Sequence, residues 1–240
     1  MRRCRVAAAL LALACVLPAS AGESSCYGRP GAGRLSGGVA LPLSGVNFAA
    51  HSRLSGVLGR NHLHSRVRAV VLDAYATLAR EQPSLRFLYG EMGFAEGGRL
   101  RPHRTHQNGT SADFMVPVRD AGGRVAVLAA HVGNRWGYDL EFDADGRVGE
   151  LHVDFAAVAA HLRALHHSAR AQGLDIAQVI FDPPWLPRLF ATADGPYLRR
   201  HLRFMPRPAW VRHDEHYHVD FAVPCLPMQP SAGHQKTPAR

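Results

Sequence analysis

Two short stretches of the chain concentrate residues that bind metals and move protons. The first is Arg101-Pro102-His103-Arg104-Thr105-His106-Gln107-Asn108-Gly109-Thr110-Ser111-Ala112-Asp113. A loop that turns at Gly109 and returns as a strand brings His106 and Asp113 to one point, and an imidazole nitrogen with a carboxylate oxygen suits a zinc ion. The second is His213-Asp214-Glu215-His216-Tyr217-His218. Side chains alternate along a strand, so His216 and His218 share a face. With His106, Asp113 and His218 as ligands, three protein donors leave a fourth position open, the pattern of a catalytic rather than a structural zinc site. A zinc-held water ionises near neutral pH, and His216 sits where it can take a proton. Either motif alone is a weak signal. Together, each with a further histidine three residues upstream (His103 and His213), they point to a metal centre rather than an adventitious patch. The other histidines among the fifteen need no such role, and His161, His166 and His167 lie along an amphipathic stretch where exposure is the default.

The elements that must position these residues follow from periodicity and punctuation. Val67, Val71, Ala74, Tyr75 and Leu78 have helical spacing, and Pro83 ends that helix. Leu85–Tyr89 and Ala112–Val118 are strand candidates, separated by a loop that Gly97-Gly98 opens. Asp143-Ala144-Asp145-Gly146 between Tyr138–Phe142 and Arg147–His152 fits a hairpin. A longer helix follows, with Asp154 as N-cap, Phe155, Val158, Leu162, Leu165 and Ala169 on one face, and Gly173 at its stop. Gln178–Phe181 and His216–Val223 read as strands, and Gly28–Gly45 as mostly loop. Helices and strands mix without a regular βαβ alternation, so the class is α+β: a small antiparallel sheet carrying the zinc site, flanked by helices and long loops.

The chain has 240 residues, with 47% hydrophobic and 20% charged, a globular balance with room for one core. Arg2, Arg3 and Arg5 precede an apolar run from Val6 to Leu17 and the small residues Ala19-Ser20-Ala21, which reads as a signal peptide over 1–21 cut after Ala21. Cys15 after Ala12-Leu13-Ala14 fits a lipoprotein acceptor loosely, but the apolar residues after it favour plain secretion. The run is too short to span a membrane, and no later segment is long and apolar enough. Cleavage leaves Cys26 and Cys225, one near each end of a single domain over 22–225, which suggests a disulfide in an exported protein. Residues 226–240 read as a loose tail. The formal charge of +9 is almost all arginine, Lys236 being the one lysine. A basic surface suits anionic partners. The signal peptide and the lack of basic runs interleaved with stacking aromatics argue against nucleic acid. Oligomeric state is not legible.

The pattern His106-x6-Asp113 with a late His216-x-His218 resembles the LAS metallopeptidases, which include lysostaphin-type endopeptidases and D-Ala-D-Ala carboxypeptidases. His103 before the first ligand, and His213-x-x-His216-x-His218, bring it nearest to the penicillin-insensitive murein endopeptidases. The stretches Leu41-Pro42 through Asn47-Phe48, Leu58-Gly59-Arg60 and Tyr89-Gly90-Glu91 are also similar, and the likeness runs from about Cys26 to Cys225. It implies one Zn²⁺ per chain and cleavage of peptidoglycan cross-link peptides, especially the D-alanyl–meso-diaminopimelyl bond, in the periplasm, without a serine nucleophile. In that reading His216 is the general base, and His103 and His213 stabilise the oxyanion, protonate the leaving amine or orient the ligands. Glu215 is the runner-up for the base, since Glu215-x-x-His218 has the spacing of the D-Ala-D-Ala dipeptidases, although strand parity turns it away from His218. One departure stands out. The family pattern carries an acidic residue two before the aspartate, where this chain has Ser111. The competing function is a catalytically inactive wall-binding protein that keeps the fold. Trp136, Tyr138, Trp185 and Trp210 are candidates for a groove lining, though aromatics more often pack in cores.

Overall fold

A computed structural model describes residues 22–228. The expected signal peptide and the tail beyond Met228 lie outside the described residues. In chain order the elements are β1 (Ser25–Arg29), β2 (Ala32–Ser36), β3 (Val39–Ala40), β4 (Phe48–Ala50), α1 (Arg53–Val57), β5 (His62–Leu63), α2 (Ser65–Glu81) and β6 (Phe87–Tyr89). There follow β7 (Ser111–Met115), β8 (Val118–Arg119), β9 (Val125–Ala126), β10 (Arg147–Val148), β11 (Leu151–Val153) and α3 (Phe155–Ala171). The chain ends with β12 (Ile176–Ile180), α4 (Leu186–Phe190), α5 (Gly195–His201) and β13 (His216–Phe221). This is an α+β fold. No helix of the described residues is long and apolar enough to cross a membrane.

The central sheet has the order β12-β13-β7-β6-β4, antiparallel except for the β4–β6 pair at one edge, which is parallel. Alternation divides β7 and β13 between two environments. Ala112, Phe114, Tyr217, Val219 and Phe221 face the core, where α2 and α3 pack against each other and over the sheet. Ser111, Asp113, His216, His218 and Asp220 face the other way. Register joins the two motifs, because His218 stands directly opposite Asp113 and Asp220 opposite Ser111.

Both long helices start and stop for local reasons. The Asp154 carboxylate accepts from Ala157 N–H at 3.0 Å, satisfying one of the unpaired donors of the first turn of α3. Gly173 ends that helix at φ 68°, a conformation open to glycine. Before α2, the His64 ring nitrogen accepts from Arg66 N–H at 3.2 Å.

The Gly28–Gly45 segment is more ordered than its glycines and prolines suggest. Pro30-Gly31 is the turn of a hairpin whose strands β1 and β2 pair along five residues, with Cys26, Gly33 and Leu35 buried by alternation. The hairpin expected around Asp143 is displaced. Asp143–Gly146 does form a turn, but Tyr138–Phe142 is not a strand, and the hairpin is β10–β11, turning at Gly149-Glu150. Cys26 and Cys225 are joined by a disulfide across a separation of 199 residues, a closure of the kind that stabilises by roughly 2–5 kcal/mol. Leu226, placed at the start of the tail, still pairs with Tyr27.

Of the three α3 histidines expected to be exposed, His167 is, but His161 and His166 are not. His161 lies between Val158 and Leu165 on the inner face, fully buried, and stacks on Tyr75 with centroids 5.0 Å apart. Its Nδ1 meets the Tyr217 hydroxyl at 2.5 Å, and its Nε2 has no partner. His166 is also buried, held by Tyr197 and Asp175. Burial lowers the His161 pKa from 6.5 to about 3. Above pH 6.5 the ring is neutral both folded and unfolded. As pH falls from 6.5 towards 3, only the unfolded chain takes up the proton, so this group removes roughly 1 kcal/mol of stability per pH unit. In urea unfolding between pH 7.5 and 4.5, His161→Phe is therefore expected to flatten the acid decline while costing about 1 kcal/mol at neutral pH from the lost hydrogen bond. An acid decline as steep as that of the unaltered protein would contradict this account.

Candidate metal centre

Asp113 is the hub. It sits in the middle of β7 with no solvent exposure. Its Oδ1 lies 3.2 Å from His106 Nε2 and 2.8 Å from His218 Nδ1, and its Oδ2 lies 3.4 Å from His103 Nδ1 and 3.8 Å from His216 Nε2. Four of the five histidines expected from the sequence are thus gathered at the one expected carboxylate. His213 stands one step further out. Its ring is 4.5 Å from that of His216, with Nδ1 against Val211 O at 2.9 Å.

His106 reaches the hub from the loop before β7. Gly109 turns that loop at φ 74°, as the sequence suggested, and a Cβ there would lie 2.8 Å from His64 N. His106 itself has φ 69°, a left-handed conformation uncommon for a side chain of this size and typical of strain held at a functional site. Its Nδ1 donates to Met92 O at 2.5 Å, which leaves Nε2 as the nitrogen that faces Asp113. That Nε2 is fully buried and has no hydrogen-bond partner. A buried imidazole nitrogen 3.2 Å from an ionised carboxylate oxygen forms with it a pair of donors that a cation between them satisfies. The orphaned nitrogen therefore fits a bound metal ion.

His218 is anchored in a matching way. Its Nε2 meets Asp220 Oδ1 at 2.9 Å, and the same oxygen accepts from Ser111 Oγ at 2.5 Å. Asp220 went unnoticed in the sequence, although the parity that pairs His216 with His218 extends to it. Histidines that hold metals commonly have their other nitrogen fixed by a carboxylate or carbonyl, and His106 and His218 both do. His103, His106 and Asp113 could also hold a metal ion, with one donor atom of each within 4.8 Å of the others. Among the described residues, however, no partner holds the second nitrogen of His103.

Electrostatics sorts these groups by protonation. Burial opposes the charge of Asp113, but the surrounding imidazoles outweigh it and hold its pKa well below the usual carboxylate range. Burial pushes His103 down to about 3, and His213 and His216 to about 4, so all three are neutral at pH 7. His218 is the exception. Burial lowers it, but Asp220 and Asp113 raise it to about 10, so without metal it bridges two carboxylates as a cation. Glu215 lies just before β13. Parity directs it away from Asp113, and its Oε1 instead meets His216 Nδ1 at 2.9 Å, which turns His216 Nε2 into the site. Burial raises Glu215 to about 8.

The site opens into a cleft of about 470 Å³. One wall holds His51, Arg60 and Glu91, with Arg60 Nε 2.5 Å from Glu91 Oε2 and His51 Nε2 3.6 Å from Glu91 Oε1. Arg60 and Glu91 belong to stretches that carried the family likeness without a role, and nothing in the sequence marked His51. The other wall holds Arg135, Trp136, Tyr138, Trp210 and Arg212. Trp136 and Trp210 do line the cleft, as one of the two expectations had it. Trp185 does not, being fully buried against Phe142, Phe155 and Phe181.

Comparison with known proteins agrees with this geometry. No curated protein matches the chain. A sequence model of the penicillin-insensitive murein endopeptidases matches residues 26–239, which takes in both motifs, the disulfide and every element of the fold. The chain belongs to the family of penicillin-insensitive murein endopeptidases, hydrolases that act on the peptides of the bacterial cell wall.

Proposed function

We propose that this protein is a zinc-dependent endopeptidase that hydrolyses D-alanyl–meso-diaminopimelyl cross-links of peptidoglycan in the periplasm, with one Zn²⁺ held by His106, Asp113 and His218. The observation that carries the zinc reading is the pair of anchored imidazoles, His106 Nε2 and His218 Nδ1, converging on one buried carboxylate oxygen. Two imidazoles and one carboxylate suit zinc among the common divalent ions. A zinc ion there supplies Lewis acidity to the scissile carbonyl and acidifies the attacking water. Family membership supports the substrate, and the cleft beside the three ligands gives a peptide room to bind. Export by the segment 1–21, cut after Ala21, brings the enzyme to that substrate.

The chain's own residues divide the proton work. His216 is neutral, is fixed through Nδ1 by Glu215, and presents Nε2 to the site, so it accepts the proton of the water and returns it to the leaving amine. Glu215 orients His216. His213, beside the His216 ring, and His103, facing the same Asp113 Oδ2 as His216, are donors for the developing oxyanion. The intact donor set weighs against an inactive wall-binding protein.

Chelator-treated protein is expected to lose cleavage of purified cross-linked muropeptides and to regain it with one equivalent of zinc, the products being read by mass spectrometry. His106→Ala should take up no zinc, and full activity in that variant would remove the metal assignment. Zinc content separates the two possible partners of His106 and Asp113: His218→Ala should lose the metal and His103→Ala should keep it. At saturating zinc, His216→Ala should lower kcat by roughly 10²–10⁴-fold and Glu215→Gln by less. The reverse order would make Glu215 the base.

A further inference from the structure

Asp113 needs more than burial to serve as a hub. The last torsion of an aspartate is soft and roughly two-fold, so nothing in the strand itself decides which carboxylate oxygen faces the ligand nitrogens. We propose that Tyr138 is a positioning residue that makes this choice: its hydroxyl holds Asp113 Oδ2, which fixes Oδ1 between His106 and His218. The inference rests on the metal reading given under the proposed function.

The directions of the hydrogen bonds follow from the chemistry of the partners. The Tyr138 hydroxyl lies 2.8 Å from Glu91 N and 3.2 Å from Asp113 Oδ2. A backbone N–H can only donate, so the hydroxyl accepts there. An ionised carboxylate can only accept, so the hydroxyl proton goes to Asp113. The other groups near Oδ2 are His103 at 3.4 Å and His216 at 3.8 Å, longer than Tyr138 and neither counted as a hydrogen bond to it. Tyr138 is thus the hydrogen-bond anchor of Oδ2 among the described residues.

Two further features are shaped around this contact. Gly90 lies beneath it. A Cβ at Gly90 would collide with the Tyr138 hydroxyl oxygen and lie 3.1 Å from Asp113 Cβ, so only a residue without a side chain lets the phenol reach the carboxylate. The loop that delivers Tyr138 is bent for the purpose. Arg135 and Trp136 have φ of 46° and 57°, left-handed values that non-glycine residues seldom adopt, and Gly137 follows at 98°. Asn134 pins the bend, its Oδ1 accepting from His131 N and Gly137 N at 3.0 Å each and its Nδ2 donating to Ala129 O at 2.6 Å. The phenol ring also stands 4.9 Å from the ring of His216 and 5.6 Å from that of His103. Tyr138→Phe removes the hydroxyl and keeps this wall.

The test measures zinc affinity by chelator competition and the visible spectrum of the Co²⁺-substituted protein. Tyr138→Phe is expected to weaken zinc binding by roughly 10–100-fold, the range for a group that orients a ligand, and to shift the cobalt bands. Gly90→Ala, which displaces the hydroxyl without removing it, should do the same. The double variant should lose little more than Tyr138→Phe alone, because both changes break one contact. Urea unfolding of the metal-free proteins gives the control: a merely structural role would lower stability and leave the cobalt spectrum unmoved, and that result overturns the proposal. So would full additivity of the two changes. If the unaltered protein takes up no zinc, the metal reading itself has failed. If it and Tyr138→Phe bind zinc equally while His106→Ala does not, the role of Tyr138 alone is lost.

Discussion

A carboxylate in the middle of a buried strand is the constraint on which the rest of this structure depends. Removing an ionised group from water is costly unless it is surrounded by partners that compensate. Asp113 has no solvent exposure and is ringed by imidazoles from two sequence-distant stretches. The register of β7 with β13 is therefore a chemical requirement as well as a topological one. A slip of one residue would turn Asp113 toward Tyr75 and Tyr217 and bring Phe114 to the cleft. The flanking contacts guard against it. Ser111 and Asp220 pair across the strands, Val116 N–H binds Glu215 O, and the disulfide ties the ends of the domain behind the sheet.

The same burial sets two carboxyl groups to opposite states. Asp113 is surrounded by imidazoles and stays ionised. Glu215 is buried among other acids, with Asp113 and Glu141 adding to the effect of burial, and moves up to about 8. Such divergence between neighbouring carboxyl groups assigns roles. A group near pKa 8 has a value compatible with base catalysis, but geometry comes before pKa. Glu215 reaches His216 rather than the hub, so in the proposed reaction it acts through His216. His103, His213 and His216 in turn stay neutral at pH 7, and their lone pairs are available to a cation or a proton.

Much of this was legible in the sequence because it rests on short periods. Strand parity gave the shared face of His216 and His218, a glycine gave the turn between His106 and Asp113, and helical spacing gave α2 and α3 with their caps. Whatever depends on tertiary contact was hidden. His161 looks like an exposed polar residue on a helix until Tyr75 and Tyr217 close over it. Tyr138–Phe142 has the composition of a strand, but two left-handed residues before it divert the chain to Asp113 instead. The first hairpin was obscured by its own Pro30-Gly31 turn. His51 and Glu91 reach the cleft from segments that carry no metal-binding pattern of their own. Asp220 shares the face of His216 and His218 by the same parity, but its contact with His218 Nε2 depends on side-chain packing that parity does not show.

Ser111 shows how a departure from a family pattern can be read locally. The acidic residue that the pattern carries at this position would have stood opposite Asp220, and like charges directly across an antiparallel pair are destabilising. A serine there donates to Asp220 Oδ1, the oxygen that also receives His218 Nε2. One carboxylate thus serves the imidazole, and a neutral donor steadies that carboxylate. Burial of Asp220 opposes its charge, but His218 and the Ser111 hydroxyl hold its pKa below the ordinary value, so it remains an acceptor. With serine on β7, the charge that anchors His218 is the one on β13. The difference from the pattern therefore lies behind His218, at residues that do not line the cleft.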